Sequence, residues 1–283
     1  MFKLFLPLAA FFVSIAATAA PSLESPRALV VDAATGEVLL AKSAHDVASI
    51  ASLSKLMTAM VVLDARLNPF EVLQIELADL DTIKGTTSGV PVGSRFTRRT
   101  LLRLALLSSD NRAAAALART YPGGKPAFVR AVAAKAAALG LKHTSMEEPT
   151  GLSPRNRSNA VDLVRMLSAA AAYTEISEIT SQPMARFEVN GAPRRFRNTN
   201  RMVGRPGWHV LVSKTGYTRE AGRCLTMLLE EAGRKVLVVL MGADDGADRA
   251  LDAVTIKRWL AREAQLAKRV VAGGAPAAPL PRL

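Results

Sequence analysis

Cysteine is almost absent from this sequence. Cys224 stands alone among 283 residues, so no intrachain disulfide can form. Set inside an apolar run, it reads as a small buried hydrophobe. Histidine is nearly as scarce: His45, His143 and His209 share no ligand spacing and no acidic partner in a zinc pattern. Neither a metal nor an organic cofactor is implied. Aromatic residues make up 5% of the chain and do not interleave with cations, which argues against a single-strand nucleic-acid binder. There is no Gly-x-Ser-x-Gly elbow to support a Ser-His-Asp triad. Beyond the amino terminus no apolar stretch approaches the roughly 20 residues that cross a bilayer. Leu56–Leu63 is far too short and is bounded by Lys55 and Asp64.

What is present is ample material for a core: 49% of residues are hydrophobic and 22% charged. Length alone permits one large domain or two small ones. Residues 1–19 are set apart. Lys3 precedes an apolar run from Leu4 to Ala16, and Ala17-Thr18-Ala19 fits a small-x-small cleavage site, so the segment reads as a signal peptide. The mature protein is then expected to be exported and periplasmic. The formal charge of +13, or +12 without Lys3, suits anionic envelope surfaces. It implies at most loose association with membrane or wall, and no nucleic acid.

Short strand-forming runs at Ala28–Asp32 and Glu37–Ala41 flank Ala33-Ala34-Thr35-Gly36 and predict a β-hairpin. Ser52–Ala65 is apolar on nearly every side, the pattern of a buried helix. Helices are predicted from a Thr97 cap through Leu107, from about Asn111, over Pro126–Leu139 with Gly140 past its end, and from Ser158 or Asn159 to about Ala172. Arg186–Val189 and Arg194–Arg197 flank Asn190-Gly191, a strong hairpin signal. Strands follow at His209–Thr215, Cys224–Leu229 and Lys235–Met241, the last two joined across Glu230–Arg234. In a final helix from about Arg249 to Ala267, Ala253, Ile256, Leu260 and Ala264 form one stripe. Residues 268–283, rich in Pro, Ala and Gly, read as a loose tail. The whole predicts one α+β domain over residues 20–267, a mostly antiparallel sheet from both chain ends with a helical subdomain inserted between them.

Three short motifs carry chemistry. Ser52-Leu-Ser-Lys55 places a hydroxyl and an amine three residues apart at a helix start, on one face. A serine needs a neighbouring base, and a lysine serves only where its neutral form is favoured. Ser109-Asp110-Asn111 lies at a helix break, where it can present Ser109 and Asn111 to a cleft or simply cap the next helix. Lys214-Thr215-Gly216 ends a strand, offering a cation, a hydroxyl and room for a ligand to approach the backbone. Each is weak alone. Together, once each and in this order, they form the set shared by penicillin-binding proteins and class A β-lactamases.

Longer segments also resemble one family: Ile50–Ala59, Phe96-Thr97 with Leu101-Leu102, Glu148-Pro-Thr-Gly-Leu-Ser-Pro154, Asn198-Thr-Asn200 and Ser213–Thr218. Over roughly residues 28–265 the chain resembles the low-molecular-mass D-alanyl-D-alanine peptidases, of β-lactamase/DD-peptidase-like fold. Ser108–Ala115 and Ala221–Leu225 look most like the endopeptidase branch. The resemblance implies Ser52 as nucleophile, Lys55 as its base and Ser109 as proton relay toward the leaving amine. It implies Asn111, Lys214, Thr215 and Gly216 as the substrate-binding set and the backbone N–H groups of Ser52 and Tyr217 as the oxyanion hole. Peptidoglycan stem peptides would be the substrate and β-lactam antibiotics covalent inhibitors. The class A Glu-x-x-Leu-Asn pattern is missing, so slow release of β-lactams is expected. A carboxypeptidase trimming terminal D-Ala would share every catalytic residue, and a catalytically silent wall-binding module is the reading from another class. Arg223 and Arg249 are candidates for a substrate carboxylate.

Overall fold

A computed structural model describes residues 20–273. The expected signal peptide and the end of the expected tail, residues 274–283, lie outside the described residues. In chain order the elements are β1 (Arg27–Asp32), β2 (Val38–Lys42), β3 (Ala48–Ser49), α1 (Ser54–Asp64), β4 (Val72–Gln74), β5 (Arg95–Thr97), α2 (Arg98–Leu107), α3 (Asn111–Arg119) and α4 (Gly124–Ala138). They continue with β6 (Arg157–Ser158), α5 (Ala160–Ala171), α6 (Thr174–Thr180), β7 (Met184–Val189), β8 (Ala192–Arg197), β9 (His209–Thr218), β10 (Gly222–Glu231), β11 (Arg234–Ala243) and α7 (Gly246–Gly273).

The main sheet has the order β2-β1-β11-β10-β9, and every neighbouring pair is antiparallel. The two chain ends therefore meet in one sheet with the helices inserted between them, the α+β arrangement expected. On one sheet face Val30, Met227, Val238 and Leu240 pack with Ile256 and Leu260 of α7. The other face joins a larger core that includes α5 and the helical block. At the centre of that block α1 is buried from Ser54 to Val62, so its uniformly apolar sequence reflects protein on all sides. Among the described residues no helix is long and apolar enough to cross a membrane.

Helix caps follow the sequence. The Thr97 side chain accepts from the Thr100 N–H, Asp110 from that of Ala113 and Asn159 from that of Asp162, each satisfying an otherwise orphaned amide. Asn190 and Gly191 have φ of 51° and 78°, the left-handed pair that closes β7 onto β8. Elsewhere the structure corrects the expectation. Ser52 lies in a separate 3₁₀ turn, Ala51–Leu53, and α1 starts only at Ser54. The connection expected over Glu230–Arg234 shrinks to Ala232-Gly233, because Ala232 takes up a φ of 53° that its side chain does not advertise. The final helix runs to Gly273, six residues beyond the Ala267 boundary, so residues 268–273 are helical and not part of a loose tail. Alanine and valine there favour or tolerate helix, whereas the prolines begin only at Pro276.

The chain start is tied to that last helix by one carboxylate. Buried Asp252 accepts from the backbone N–H groups of Glu24 and Ser25, both at 2.7 Å. Asp252→Ala would strand two amides, and urea unfolding should show a loss of about 2–3 kcal/mol.

Candidate active site

Four pieces of chain converge on Ser52. The 3₁₀ turn carries Ser52 itself, and the first turn of α1 carries Lys55. The break between α2 and α3 supplies Ser109 and Asn111. β9, the edge strand of the main sheet, supplies Lys214, Thr215 and Gly216 from within the strand, which continues to Thr218 and does not stop at Thr215 as expected, because Gly216–Thr218 stay paired with β10. Lys55 and Asn111 meet Ser52 directly, Gly216 lies against its backbone, and Ser109 meets Lys214 beside them.

Lys55 is 1% exposed, and its ammonium makes three hydrogen bonds. Nζ donates to Ser52 Oγ at 2.8 Å, to Asn111 Oδ1 at 2.7 Å and to the Thr150 carbonyl at 2.6 Å. Burial, only partly offset by the charges of Glu148, Asp110 and Asp81, lowers its pKa to about 8. The geometry also fixes what the neutral amine does. A carbonyl and an amide oxygen can only accept, so the two remaining N–H groups stay with Asn111 and Thr150. The lone pair is left facing Ser52 Oγ.

Lys214, equally buried, donates to Ser109 Oγ at 2.8 Å and to the Thr215 carbonyl at 3.0 Å. Its pKa is pushed well down by burial first, then by the positive charges of Lys55 and Arg249. Because Lys214 donates to Ser109 Oγ, the Ser109 hydroxyl proton is free to point elsewhere. Ser109 has a φ of 61°, a left-handed conformation that costs a non-glycine residue about 1–3 kcal/mol and is characteristic of functional loops. Thr215 donates to Thr199 Oγ1 at 2.7 Å. Asn111, expected to hold a substrate amide, orients Lys55 through Oδ1 and donates through Nδ2 to Thr86 Oγ1 at 2.8 Å.

Close backbone approach explains two glycines. A Cβ on Gly216 would lie 3.0 Å from the Ile50 carbonyl oxygen and from Ser52 N, so a side chain there would push on the 3₁₀ turn that carries Ser52. Gly151 is tighter: its Cβ would fall 1.9 Å from the Ala51 carbonyl, at a φ of 84°. It belongs to the loop Glu148–Ser153. There the Glu148 carboxylate accepts from the N–H groups of Thr150 at 2.7 Å, Gly151 at 2.6 Å and Ser153 at 3.3 Å. Buried Asn156 ties the loop to α1 by donating to the Glu148 carbonyl at 2.9 Å and to Ser54 Oγ at 3.1 Å. This loop aims the Thr150 carbonyl at Lys55. Motif reading missed Thr150, Thr86, Gly151 and Thr199. Thr150, Gly151 and Thr199 do sit within the longer segments Glu148–Pro154 and Asn198–Asn200, whose resemblance was the available signal.

Two arginines lie beside this part of β9 and β10. The Arg223 guanidinium lies over the Tyr217 ring, 3.7 Å from its centroid, and Arg249 donates to the Cys224 carbonyl at 3.4 Å. Cys224 itself is fully buried, which raises its thiol to about 11. Lys84 pairs with Glu220 at 2.7 Å, linking the loop beside Asn111 to the turn after Tyr217. Among the described residues no group of three or more His, Cys, Asp or Glu side chains could hold a metal ion.

A hydroxyl facing a lysine of lowered pKa, with a second serine–lysine pair beside it, is the equipment of a serine-type acyl-transfer enzyme on a DD-peptidase fold. Residues 14–245 match the family described as D-alanyl-D-alanine carboxypeptidase, peptidase family S11. The chain is 45% identical to a D-alanyl-D-alanine endopeptidase of Pseudomonas aeruginosa, over 84% of this chain and 77% of that one. It is 42% identical to a D-alanyl-D-alanine endopeptidase of Escherichia coli, over 90% of this chain and 84% of that one. The crystal structure of the Streptomyces K15 DD-transpeptidase superposes with a TM-score of 0.78 at 26% identity, covering 84% of this chain and 97% of that one. The chain belongs to the S11 family of serine D-alanyl-D-alanine peptidases.

Gly151→Ala should force the Ala51–Ser52 backbone away. We expect a lower melting temperature and loss of most covalent labelling by a fluorescent penicillin, whereas Gly140→Ala, where a Cβ meets open space, should keep the label.

Proposed function

We propose that this protein is a D-alanyl-D-alanine endopeptidase that opens peptidoglycan cross-links through an acyl-enzyme on Ser52. The observation that carries the mechanism is the Lys55 amine, pinned by two acceptors so that its third position meets Ser52 Oγ. Lys55 takes the Ser52 proton as Oγ bonds to the carbonyl carbon of the penultimate D-Ala. The oxyanion is received by the backbone N–H groups of Ser52 and Tyr217, the second of these on the edge strand β9. Ser109 relays that proton from Lys55 to the leaving amine as the C–N bond breaks, which returns Lys55 to its neutral form, with Lys214 keeping the local field positive. Asn111, Thr215 and Gly216 complete the binding set, and Arg223 and Arg249 make the adjacent rim attractive to a substrate carboxylate. Water then releases the acyl group and frees Ser52.

The endopeptidase reading rests on the two relatives that are 45% and 42% identical and carry that name. A carboxypeptidase removing terminal D-Ala is the second reading, favoured by the family's own description. Glu148 argues against a β-lactamase, since both its oxygens are occupied by N–H groups of its own loop and neither is available to activate water. We further propose export to the periplasm, with residues 1–19 as the signal peptide, and no more than loose attachment to membrane or wall.

Digestion of purified sacculi tests the activity. Loss of cross-linked dimers is the expected result, and release of free D-Ala alone would make the enzyme a carboxypeptidase. Ser52→Ala should abolish labelling by fluorescent penicillin, and retained label would remove Ser52 as nucleophile. The wild-type label should persist long after free drug is removed. The acylation rate should also follow the ionisation of Lys55. The amine is charged below its pKa of about 8 and neutral above it, so the rate should climb with pH and level off beyond about 8. A profile flat from pH 6 to 9 would exclude Lys55 as the base.

A further inference from the structure

The hairpin β7–β8 carries a charge distribution that neither folding nor the cleft uses. From Met184 to Arg205 the chain has Arg186, Arg194, Arg195, Arg197, Arg201 and Arg205, with no lysine and Glu188 as its single acid. All six arginines are exposed. Ala185, Phe187, Val189 and Phe196 turn inward and are buried, with the Phe187 and Phe196 rings 5.6 Å apart, so the hairpin is anchored and its outer face is displayed. On that outer face Arg186 stands directly opposite Arg195, and Arg197 follows two residues along the same strand. Like charges placed opposite each other on a sheet are destabilising. Beyond the backbone pairing of the two strands, none of these three side chains forms an ion pair or hydrogen bond among the described residues. Such an arrangement calls for an anion from outside.

Position and chemistry narrow the choice. β8 runs straight into Thr199, which holds Thr215 of the cleft, so Arg197 lies about 7 Å along the chain from the site. Arginine without lysine favours forked pairing with carboxylates or phosphates over loose attraction. No large exposed hydrophobic side chain lies between residues 184 and 205, so the face lacks the apolar side chains with which proteins enter a bilayer. We propose that the outer face of β7–β8 is a second binding surface, for free carboxylates of peptide stems on the wall strand neighbouring the one being cut. This rests on the reading of the protein as a wall endopeptidase. It gives the enzyme a preference for assembled wall over soluble fragments.

The test separates this surface from the cleft. In a Ser52→Ala background, which leaves the wall undigested, the triple variant Arg186→Gln/Arg195→Gln/Arg197→Gln is sedimented with purified sacculi at low salt. Loss of three exposed carboxylate contacts should weaken binding about tenfold. A control triple, Arg258→Gln/Arg262→Gln/Lys268→Gln on exposed positions of α7, removes equal charge and should stay within twofold of the parent. Amidating the wall carboxylates should erase the difference. With Ser52 intact, the hairpin triple should label with fluorescent penicillin at the wild-type rate, showing a folded cleft. Unchanged sedimentation, or an equal loss in the control triple, would overturn the proposal. So would a defect confined to vesicles of anionic phospholipid, which would make the partner a membrane. Should the wild type fail to label, the Ser52 reading falls while the sedimentation result still decides the surface.

Discussion

The burial of two lysine amines within one polar cluster is the constraint on which the rest of this structure depends. Taking an ammonium out of water is costly, and two of them close together more so. The chain meets that cost with dedicated acceptors: Asn111 Oδ1, the Thr150 carbonyl and Ser52 Oγ for Lys55, Ser109 Oγ and the Thr215 carbonyl for Lys214. What remains uncompensated lowers both pKa values, and that residue is the useful part. An amine near pKa 8 can take up a proton from a hydroxyl around neutrality, whereas one near its ordinary value of 10.5 could not.

Holding those acceptors in place accounts for much of the irregular backbone. Ser109 sits at positive φ, Ala51 does the same one residue before Ser52, and Gly151 packs directly onto the Ala51 carbonyl. The loop behind Lys55 is held by a carboxylate folded back on its own amides, so Glu148 is a structural clamp. Rigid elements deliver the remaining parts: α1 is fixed by burial on every side, and β9 by its pairing with β10.

The elements legible in the sequence were those with strong local signals. Thr97, Asp110 and Asn159 cap where capping residues should, and Asn190-Gly191 turns where it should. Elements without a local signal were missed. The two-residue strands β3 and β6 depend on pairing across the chain, with each other and, for Arg157 of β6, with Ser145, and α6 is a seven-residue helix held by the core. Ala232 turns the chain at positive φ because β10 and β11 are pinned into register on either side. The roles of Asn111 and Thr150 were equally out of reach, since a carbonyl 95 residues from Lys55 leaves no mark in the spacing of a motif.

The chemical parts and their order could be read along the chain: Ser52 with Lys55, Ser109 with Asn111, Lys214 with Thr215 and Gly216. That was possible because the residue types and their short spacings are properties of neighbouring residues along the chain. Tertiary structure alone decided how those parts act. Only folding removes water from both lysines, sets the Thr150 carbonyl against one of them and leaves a lone pair facing Ser52, because desolvation and long-range hydrogen bonds are properties of the packed chain.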